Sequence, residues 1–470
     1  MTDTLAEETP AQEHEHAAPT AVGRWLRGRL AKTLVLLVAV TALAAPLIGL
    51  NVHRNPALSP YDEVSYLDYL YRVDHGLFIV GKGDKVSVYT TRVVACLGVQ
   101  GVVPPDPAVC HGTERAVPKY LDTADIDPPT YYVLTAIGAG VIRWLGVTRS
   151  LLVSGRLMGI AWAGLGLTLL ILFARRLRAT WTVAAVVAGL VLCMPLYLRM
   201  WTFLSPHAME LIVTISVLWV AVNWAEGGGR WWHLALVGLV PPAVKATDVL
   251  AAGLAVLMLL FCACRAWGAG RRGPDLRSGP DPDRGPDGRA ALSAARLVTG
   301  AAILFASTLV ASLVWLAVRN HYSIMAGNEF PQFDVTHFAL TYLTSTVAIF
   351  MQPQLVLADN QLSVAVLLQL ALFGSVLVAL RSTRPPTIVQ PLSGALLVGG
   401  IFGPWLFVLF NYVVLSQFVT GLPIRYGLSV FSGAAAVLAV SIRTRIALAA
   451  ILCLGLVLLS IDLFPSHWPT

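Results

Sequence analysis

Charge is what this sequence has least of. Of its 470 residues only 13% are Asp, Glu, Lys or Arg, against ~25% in an ordinary soluble domain, while 56% are hydrophobic. A chain so composed cannot cover a globule with charged side chains, which excludes a soluble fold. With a mean hydropathy of +0.71 it reads as an all-α polytopic membrane protein. Other absences narrow the function. There is no Walker A loop, no Gly-x-Ser-x-Gly elbow and no dinucleotide fingerprint following a strand, so a cytosolic nucleotide site has no support. The six cysteines show no zinc-site spacing with histidine. A divalent metal cofactor stays open, without a metal ligand set in the sequence to hold it. No internal repeat of the kind many transporters carry is visible.

What is present is a succession of apolar runs separated by short arginine-bearing segments, the pattern by which a membrane protein records its orientation. The net charge of +7 is therefore an orientation signal, and no nucleic-acid partner is implied. Residues 1–32 read as a disordered cytoplasmic tail, acidic at first and ending in Arg24, Arg27, Arg29 and Lys32. No A-x-A-type cleavage site follows in the right place, so the first run is expected to be an uncleaved anchor. Runs at 33–50, 151–174, 179–198, 208–225, 231–246, 248–264, 297–318, 362–380, 392–415, 426–442 and 446–461 are expected to cross, eleven in all. The N-terminus is then cytoplasmic and the C-terminus outside. Residues 33–470 form one transmembrane domain, with 51–150 as an outer loop. Residues 265–296, rich in Pro and Gly with seven Arg and four Asp, read as a disordered cytoplasmic loop.

Two apolar stretches, Tyr131–Ile142 and Phe338–Met351, are shorter than the ~17 residues needed to cross. They are expected to be interfacial or re-entrant helices on the outer face. Cys96 and Cys110 share the outer loop, in the oxidising compartment. A bridge between them closes a loop of ~15 residues, about 3 kcal/mol in the chain-entropy treatment.

The stretch Leu58–Gly76, LSPYDEVSYLDYLYRVDHG, follows the first run at once. It predicts an amphipathic helix with Ser59 as N-cap, Pro60 at the first helical position and Gly76 as the stop. Val64, Leu67 and Tyr71 form its apolar face. Asp62 and Glu63 then stand at the membrane surface. Asp62 is equally well suited to a plain capping role at a helix start.

Ionisable residues in or beside spans are functional candidates. Those near outer ends are Arg156, His207, Glu210, Lys245, Asp248, Arg319 and Arg425. Arg425, beside Tyr426 and opening a span after a long uncharged run, suits a bidentate hold on phosphate. Arg and Tyr at that depth also serve as interfacial anchors. Glu210 could simply stabilise the helix start at Pro206, and Lys245 and Asp248, three apart, could pair with each other. Asp127 precedes Pro128–Pro129 and the Tyr131–Tyr132 pair, a stiff turn into the first short helix.

These motifs resemble those of the GT-C superfamily of membrane glycosyltransferases, in the branch of protein mannosyltransferases and aminoarabinose transferases. Asp62 and Glu63 match its acidic pair in the first outer loop. Asp127, Pro128, Pro129, Tyr131 and Tyr132 match loosely its turn near the end of that loop, where the family carries a base in place of Asp127. Arg425 and Tyr426 match an Arg-Tyr pair at a late span start. As topology the resemblance covers most of the chain; as sequence it covers three short motifs.

The resemblance implies a GT-C-like fold and a polyprenyl-phosphate sugar as donor, with a glycan, lipid or protein of the cell envelope as acceptor. It makes Asp62 and Glu63 the catalytic candidates. Arg425, Tyr426 and Lys245 would hold the donor phosphate, and Asp127, Tyr131, His207, Glu210 and Arg156 would line the substrate site. An Ala-, Gly-, Val- and Arg-rich composition fits a GC-rich bacterium and hence a bacterial plasma membrane. The rival reading is a transporter or flippase of polyprenyl lipid or a small molecule, for which Pro241–Pro242 is the one broken-helix signal.

Overall fold

A computed structural model describes residues 21–115, 117, 120–271, 294–324, 336, 362–381, 388–415 and 424–463. Every regular element among them is helical. In chain order the helices are α1 Ala21–Arg54, α2 Glu63–Asp74, α3 Val88–Leu97, α4 Pro107–Cys110, α5 Thr130–Trp144, α6 Leu151–Arg176, α7 Trp181–Leu192 and α8 Pro195–Thr202. They continue as α9 Glu210–Ala225, α10 Trp231–Val244, α11 Val249–Arg271, α12 Ala294–His321, α13 Leu362–Arg381, α14 Val389–Leu415, α15 Leu428–Ser441 and α16 Arg445–Leu463.

Each of the expected apolar runs is helical, ten of them on one helix each and 179–198 on the pair α7 and α8. Among the described residues seven helices are long and apolar enough to cross a membrane, and counting the pair α7–α8, bent by 65° at Cys193–Met194, as one span brings the number to eight. α10, the C-terminal part of α13, and α15 are apolar but shorter. The helices sort into a centre and a rim. α6 and α9 have about two thirds of their apolar windows buried, 61% and 67%, whereas α1, α12 and α16 have 17–22%. The rim shows Phe305, Leu309, Val310, Leu313 and Val314 to the surroundings. A water-soluble monomer rarely exposes so continuous an apolar band. This is a membrane protein.

Small residues let the central helices approach closely, as in other membrane bundles. A Cβ on Gly159 of α6 would lie 1.8 Å from the carbonyl oxygen of Trp201 in α8, so only glycine permits that crossing. α15 is buried from Leu428 to Ala439, with Gly433, Ala434, Ala435 and Ala436 in its middle.

Two expected boundaries shift. α1 begins at Ala21, inside the stretch expected to be a disordered tail, and residues 1–20 lie outside the described residues. α11 continues to Arg271 and α12 starts at Ala294, so both helices enter the 265–296 loop, whose residues 272–293 lie outside the described set. The short helix expected at 131–142 is α5, with Ile137, Val141 and Trp144 exposed along one side. The one expected at 338–351 lies outside the described residues.

Arginines expected on the inner side collect at one end of the bundle. Arg176, Arg178, Arg443 and Arg445 line one cavity of about 750 Å³ there. Arg176 pairs with Glu226, and Arg296 donates to Gly227 O at 3.3 Å. The opposite end holds the outer-loop helices. There Asn51 at the end of α1 donates to Asp462 at the end of α16 at 2.9 Å, and Arg319 of α12 pairs with Asp125 of the loop at 2.6 Å.

The loop itself is an ordered cap. Asp68 of α2 is fully buried, accepts from Ser87 N at 2.6 Å and pairs with Arg72 at 2.8 Å; Arg72 also reaches Asp84 at 3.0 Å. Burial would raise the Asp68 carboxyl, but the bonds from Ser87 and Arg72 outweigh it and hold it below its ordinary range. Its neighbour Asp122 shows the opposite balance. Burial, with the Asp68 charge adding to it, pushes the Asp122 carboxyl up to about 8 against the hydrogen bond from Ala124 N.

The sign follows from linkage: the folded chain keeps a proton at Asp122 that the unfolded chain has released. That contribution to stability is full below about pH 4 and is lost as pH rises through 8. Asp122→Asn cannot ionise and can still accept from Ala124 N. Its melting temperature should match wild type near pH 4 and exceed it by several degrees at pH 9. A constant difference across that range would remove Asp122 as the titrating group.

Cys96 at the end of α3 and Cys110 at the end of α4 form the disulfide, with Cα atoms 4.8 Å apart. In protein from oxidising membranes, both thiols should resist alkylation under denaturation until reduced. Free labelling of both before reduction would show the bridge absent.

Candidate functional site

α2 does not begin where its sequence signals point. The chain turns once more after Pro60, and the helix starts at Glu63. The Ser59 hydroxyl accepts from Tyr61 N at 3.3 Å, and Asp62 takes the N-cap position in the left-handed region, φ 61° and ψ 8°, without a side-chain capping bond. Asp is among the few residues that tolerate this conformation, which concentrates at functional positions.

The twist sends the two adjacent acids in different directions. Glu63 points inward and is fully buried. It accepts from Arg156 Nε at 2.8 Å and Nη2 at 2.7 Å, from Leu204 N at 2.9 Å and from Ser59 N at 2.7 Å. Arg156, from the middle of the first turns of α6, also donates to the carbonyls of Asn55 and Ala57 at 2.6 and 2.9 Å. Every lone-pair direction of Glu63 is thus engaged in holding α1, α2, α6 and the segment after α8 together. Both residues act in the scaffold under the site.

Asp62 points outward, its side chain 39% exposed, and pairs with Arg425 Nη2 at 2.5 Å. Arg425 sits on the short helical turn Ile424–Gly427 that leads into α15. Two residues 363 positions apart, singled out separately in the sequence, are therefore in contact. The Arg425 guanidinium also lies over the Tyr61 ring at 5.6 Å, and Arg199 of α8 lies over the same ring at 5.0 Å. Two guanidinium groups thus share the Tyr61 ring.

Beside this pair is a second one. Asp127, almost wholly buried, receives Lys245 Nζ at 3.1 and 3.3 Å, one distance to each carboxylate oxygen. Lys245 sits where α10 ends, just after Pro241–Pro242. Its ammonium lies 3.4 Å from the Tyr66 hydroxyl. Tyr66 is where the two pairs meet: the charges of Lys245, Asp62, Asp127 and Arg425 all act on its hydroxyl. Burial, above all, holds that phenol well above its usual range, so it stays a neutral donor. Burial also raises the Asp127 carboxyl, with Lys245 opposing it.

The other expected residues divide. Tyr131 accepts from Ser205 N at 3.1 Å through its hydroxyl, and so orders the entry to α9. Its neighbour Tyr132 stacks on Tyr69 with ring centroids 4.0 Å apart, fastening α5 to α2. Tyr426 belongs to the Ile424–Gly427 turn, and its side chain lies outside the described set. His207 Nδ1 is 2.9 Å from Glu210 Oε2, and Ser429 Oγ donates to Glu210 Oε1 at 2.5 Å. Asp248 joins them: ligand atoms of His207, Glu210 and Asp248 lie within 4.8 Å of one another, and the three could hold a metal ion. The bonding of Lys245 to Asp127 replaces its expected pairing with Asp248, whose carboxylate receives no hydrogen bond from an N–H group or a hydroxyl among the described residues.

Sequence reasoning missed Tyr61, Tyr66 and Arg199. Arg199 did carry a signal, as a lone cation in the apolar segment PLYLRMW. Compared with known proteins, the chain matches no family model and no curated protein at a significant level.

Proposed function

We propose that this protein transfers a sugar from a polyprenyl-phosphate donor to a cell-envelope acceptor at the end of the bundle that carries Asp62 and Arg425. The observation that carries the reading is the contact between those two residues, with Lys245–Asp127 and Tyr66 beside it. Two acids, Asp62 and Asp127, and three cations, Arg425, Arg199 and Lys245, converge where the outer loop meets the apolar helices, the place a lipid-linked phosphate would present itself.

The chemistry follows from the charges. Breaking the sugar–phosphate bond develops negative charge on the leaving lipid phosphate, and Arg425, with Arg199 across Tyr61 and Lys245 nearby, supplies positive charge there. A phosphate entering the site competes with Asp62 for Arg425. The freed carboxylate can then take the proton of an acceptor hydroxyl as the new glycosidic bond forms. Tyr66, a neutral donor, can hydrogen-bond either oxygen. Counting the bent pair and the three shorter apolar helices as spans gives eleven crossings. On this reading the arginine-lined end faces the cytoplasm, as the positive-inside rule favours, and the site lies on the outer face of a bacterial plasma membrane in a GT-C-like arrangement.

The rival reading, a lipid flippase or small-molecule transporter, draws on two observations: the 65° break between α7 and α8, and Pro241–Pro242 within α10. Both distinguish poorly, because interrupted helices also frame lateral lipid grooves.

Donor binding tests the phosphate assignment. Arg425→Ala should weaken binding of a polyprenyl-phosphate sugar by roughly tenfold to a hundredfold, the loss of one charge-assisted contact of about 1.5–3 kcal/mol. Binding should be measured by titration in detergent. Unchanged affinity would take Arg425 out of the donor site.

A further inference from the structure

Behind Lys245 the charges do not balance. Three buried carboxylates, Asp127, Glu210 and Asp248, lie around a single ammonium, and that ammonium is bonded to Asp127. Three other acids of this end do have a cation partner: Asp62 has Arg425, Glu63 has Arg156 and Asp125 has Arg319. Glu210 and Asp248 have instead His207. All three are at most 2% exposed. Burying a carboxylate costs several kcal/mol unless a cation or a set of donors compensates. Glu210 is compensated in part by the Ser429 hydroxyl. Asp248 is 0% exposed, and neither Oδ1 nor Oδ2 receives a hydrogen bond from an N–H group or a hydroxyl among the described residues; the Lys245 charge acts on it, and its close polar neighbour is the Glu210 carboxyl.

We propose that His207, Glu210 and Asp248 bind a divalent transition-metal ion, zinc or manganese. The donor set, one imidazole nitrogen and two carboxylates, is one such ions accept. Two carboxylates and a neutral imidazole balance a divalent charge. The ligand atoms already lie within 4.8 Å of one another, so small side-chain movements bring them to the about 2.0–2.2 Å bond lengths zinc needs.

The supports come from separate elements. His207 lies in the turn before α9, Glu210 begins α9, Asp248 ends the turn before α11, and Ser429 of α15 fixes the Glu210 carboxylate from behind, as an outer partner of a metal ligand does. Three protein ligands leave a position for water or a phosphate oxygen, the arrangement of an open rather than a closed metal site. Such an ion would also join the N-terminal ends of α9 and α11. This inference stands on the geometry of these residues and does not depend on glycosyl transfer.

The test uses untagged full-length protein in detergent. After stripping with a chelator, the protein is dialysed against Zn²⁺ or Mn²⁺, and bound metal is measured by mass spectrometry of the element. Wild type should retain one ion per chain and melt at a higher temperature when loaded. Asp248→Asn and His207→Gln, eluting as wild type does, should each retain at least tenfold less; these variants separate the site from histidines elsewhere in the chain.

Should the variants fail to fold, X-ray absorption on zinc-loaded wild type decides alone. The expected shell contains an imidazole and oxygens and no sulfur. Wild type that retains no metal would overturn the proposal and leave the two carboxylates sharing a proton. So would metal retained by both variants, or a sulfur ligand from a cysteine.

Discussion

Asp62→Asn should lower sugar transfer by about 10²–10⁴-fold, the usual loss on removing a general base, while donor-lipid binding is kept or tightened, because the phosphate no longer competes with a carboxylate for Arg425. Asn keeps the shape of Asp and is as tolerant of the left-handed conformation at φ 61°, so α2 should start where it does now. Arg425 is buried and Asp62 39% exposed, and the amide oxygen of Asn can still accept from Arg425, so the fold should survive the loss of the charge. What Asn cannot do is take a proton at neutral pH. A capping role is already disfavoured, because the Asp62 side chain bonds Arg425 and no helix N–H. If the Asn variant turns over at the wild-type rate, Asp62 is not the base, and Asp127 becomes the next candidate. Glu63 does not, since its oxygens are committed to Arg156, Leu204 and Ser59.

Arg156→Met should be the most damaging single change to stability. It leaves Glu63, 0% exposed, with its charge uncompensated in the core, and breaking one side of a buried pair typically costs about 3–5 kcal/mol. The change also frees the carbonyls of Asn55 and Ala57, which fix how the chain leaves α1. Adding Glu63→Gln should recover part of the loss, because the buried charge disappears while an acceptor remains for Leu204 N. The double variant should therefore melt above Arg156→Met alone, a non-additivity expected of residues in contact. Additive losses, read from thermal unfolding in detergent, would mean that the two residues do not act as a pair.

What the sequence made legible was local. Length and hydropathy of a run depend only on the residues in it, so the expected runs are helical, including the α15 segment after Arg425, though the 179–198 run is broken into α7 and α8 and three others are shorter than a full span. The outer-loop cysteines could be paired because only two lay in that compartment. Misplaced features turned on contacts far along the chain. The start of α2 slips from Pro60 to Glu63 because Glu63 is drawn into the core by Arg156, 93 residues later. Lys245 and Asp248, neighbours by spacing, part company because Asp127 reaches Lys245 from the outer loop. Asp248 then joins His207 and Glu210, which the sequence marked only as separate candidates near an outer end. Tyr61 and Tyr66 carried no signal of their own, since a tyrosine on an amphipathic helix is unremarkable until the cations around it are placed by other helices.

The measurement that tests the central claim most directly is the fate of the sugar. Purified wild-type protein, reconstituted in vesicles, is incubated with a panel of polyprenyl-phosphate sugars labelled in the sugar and with cell-envelope acceptors. Label should leave one of the lipids and appear in an acceptor, and Asp62→Asn should stop it. Label that stays on every lipid while one of them crosses the bilayer would contradict glycosyl transfer and make the protein a flippase.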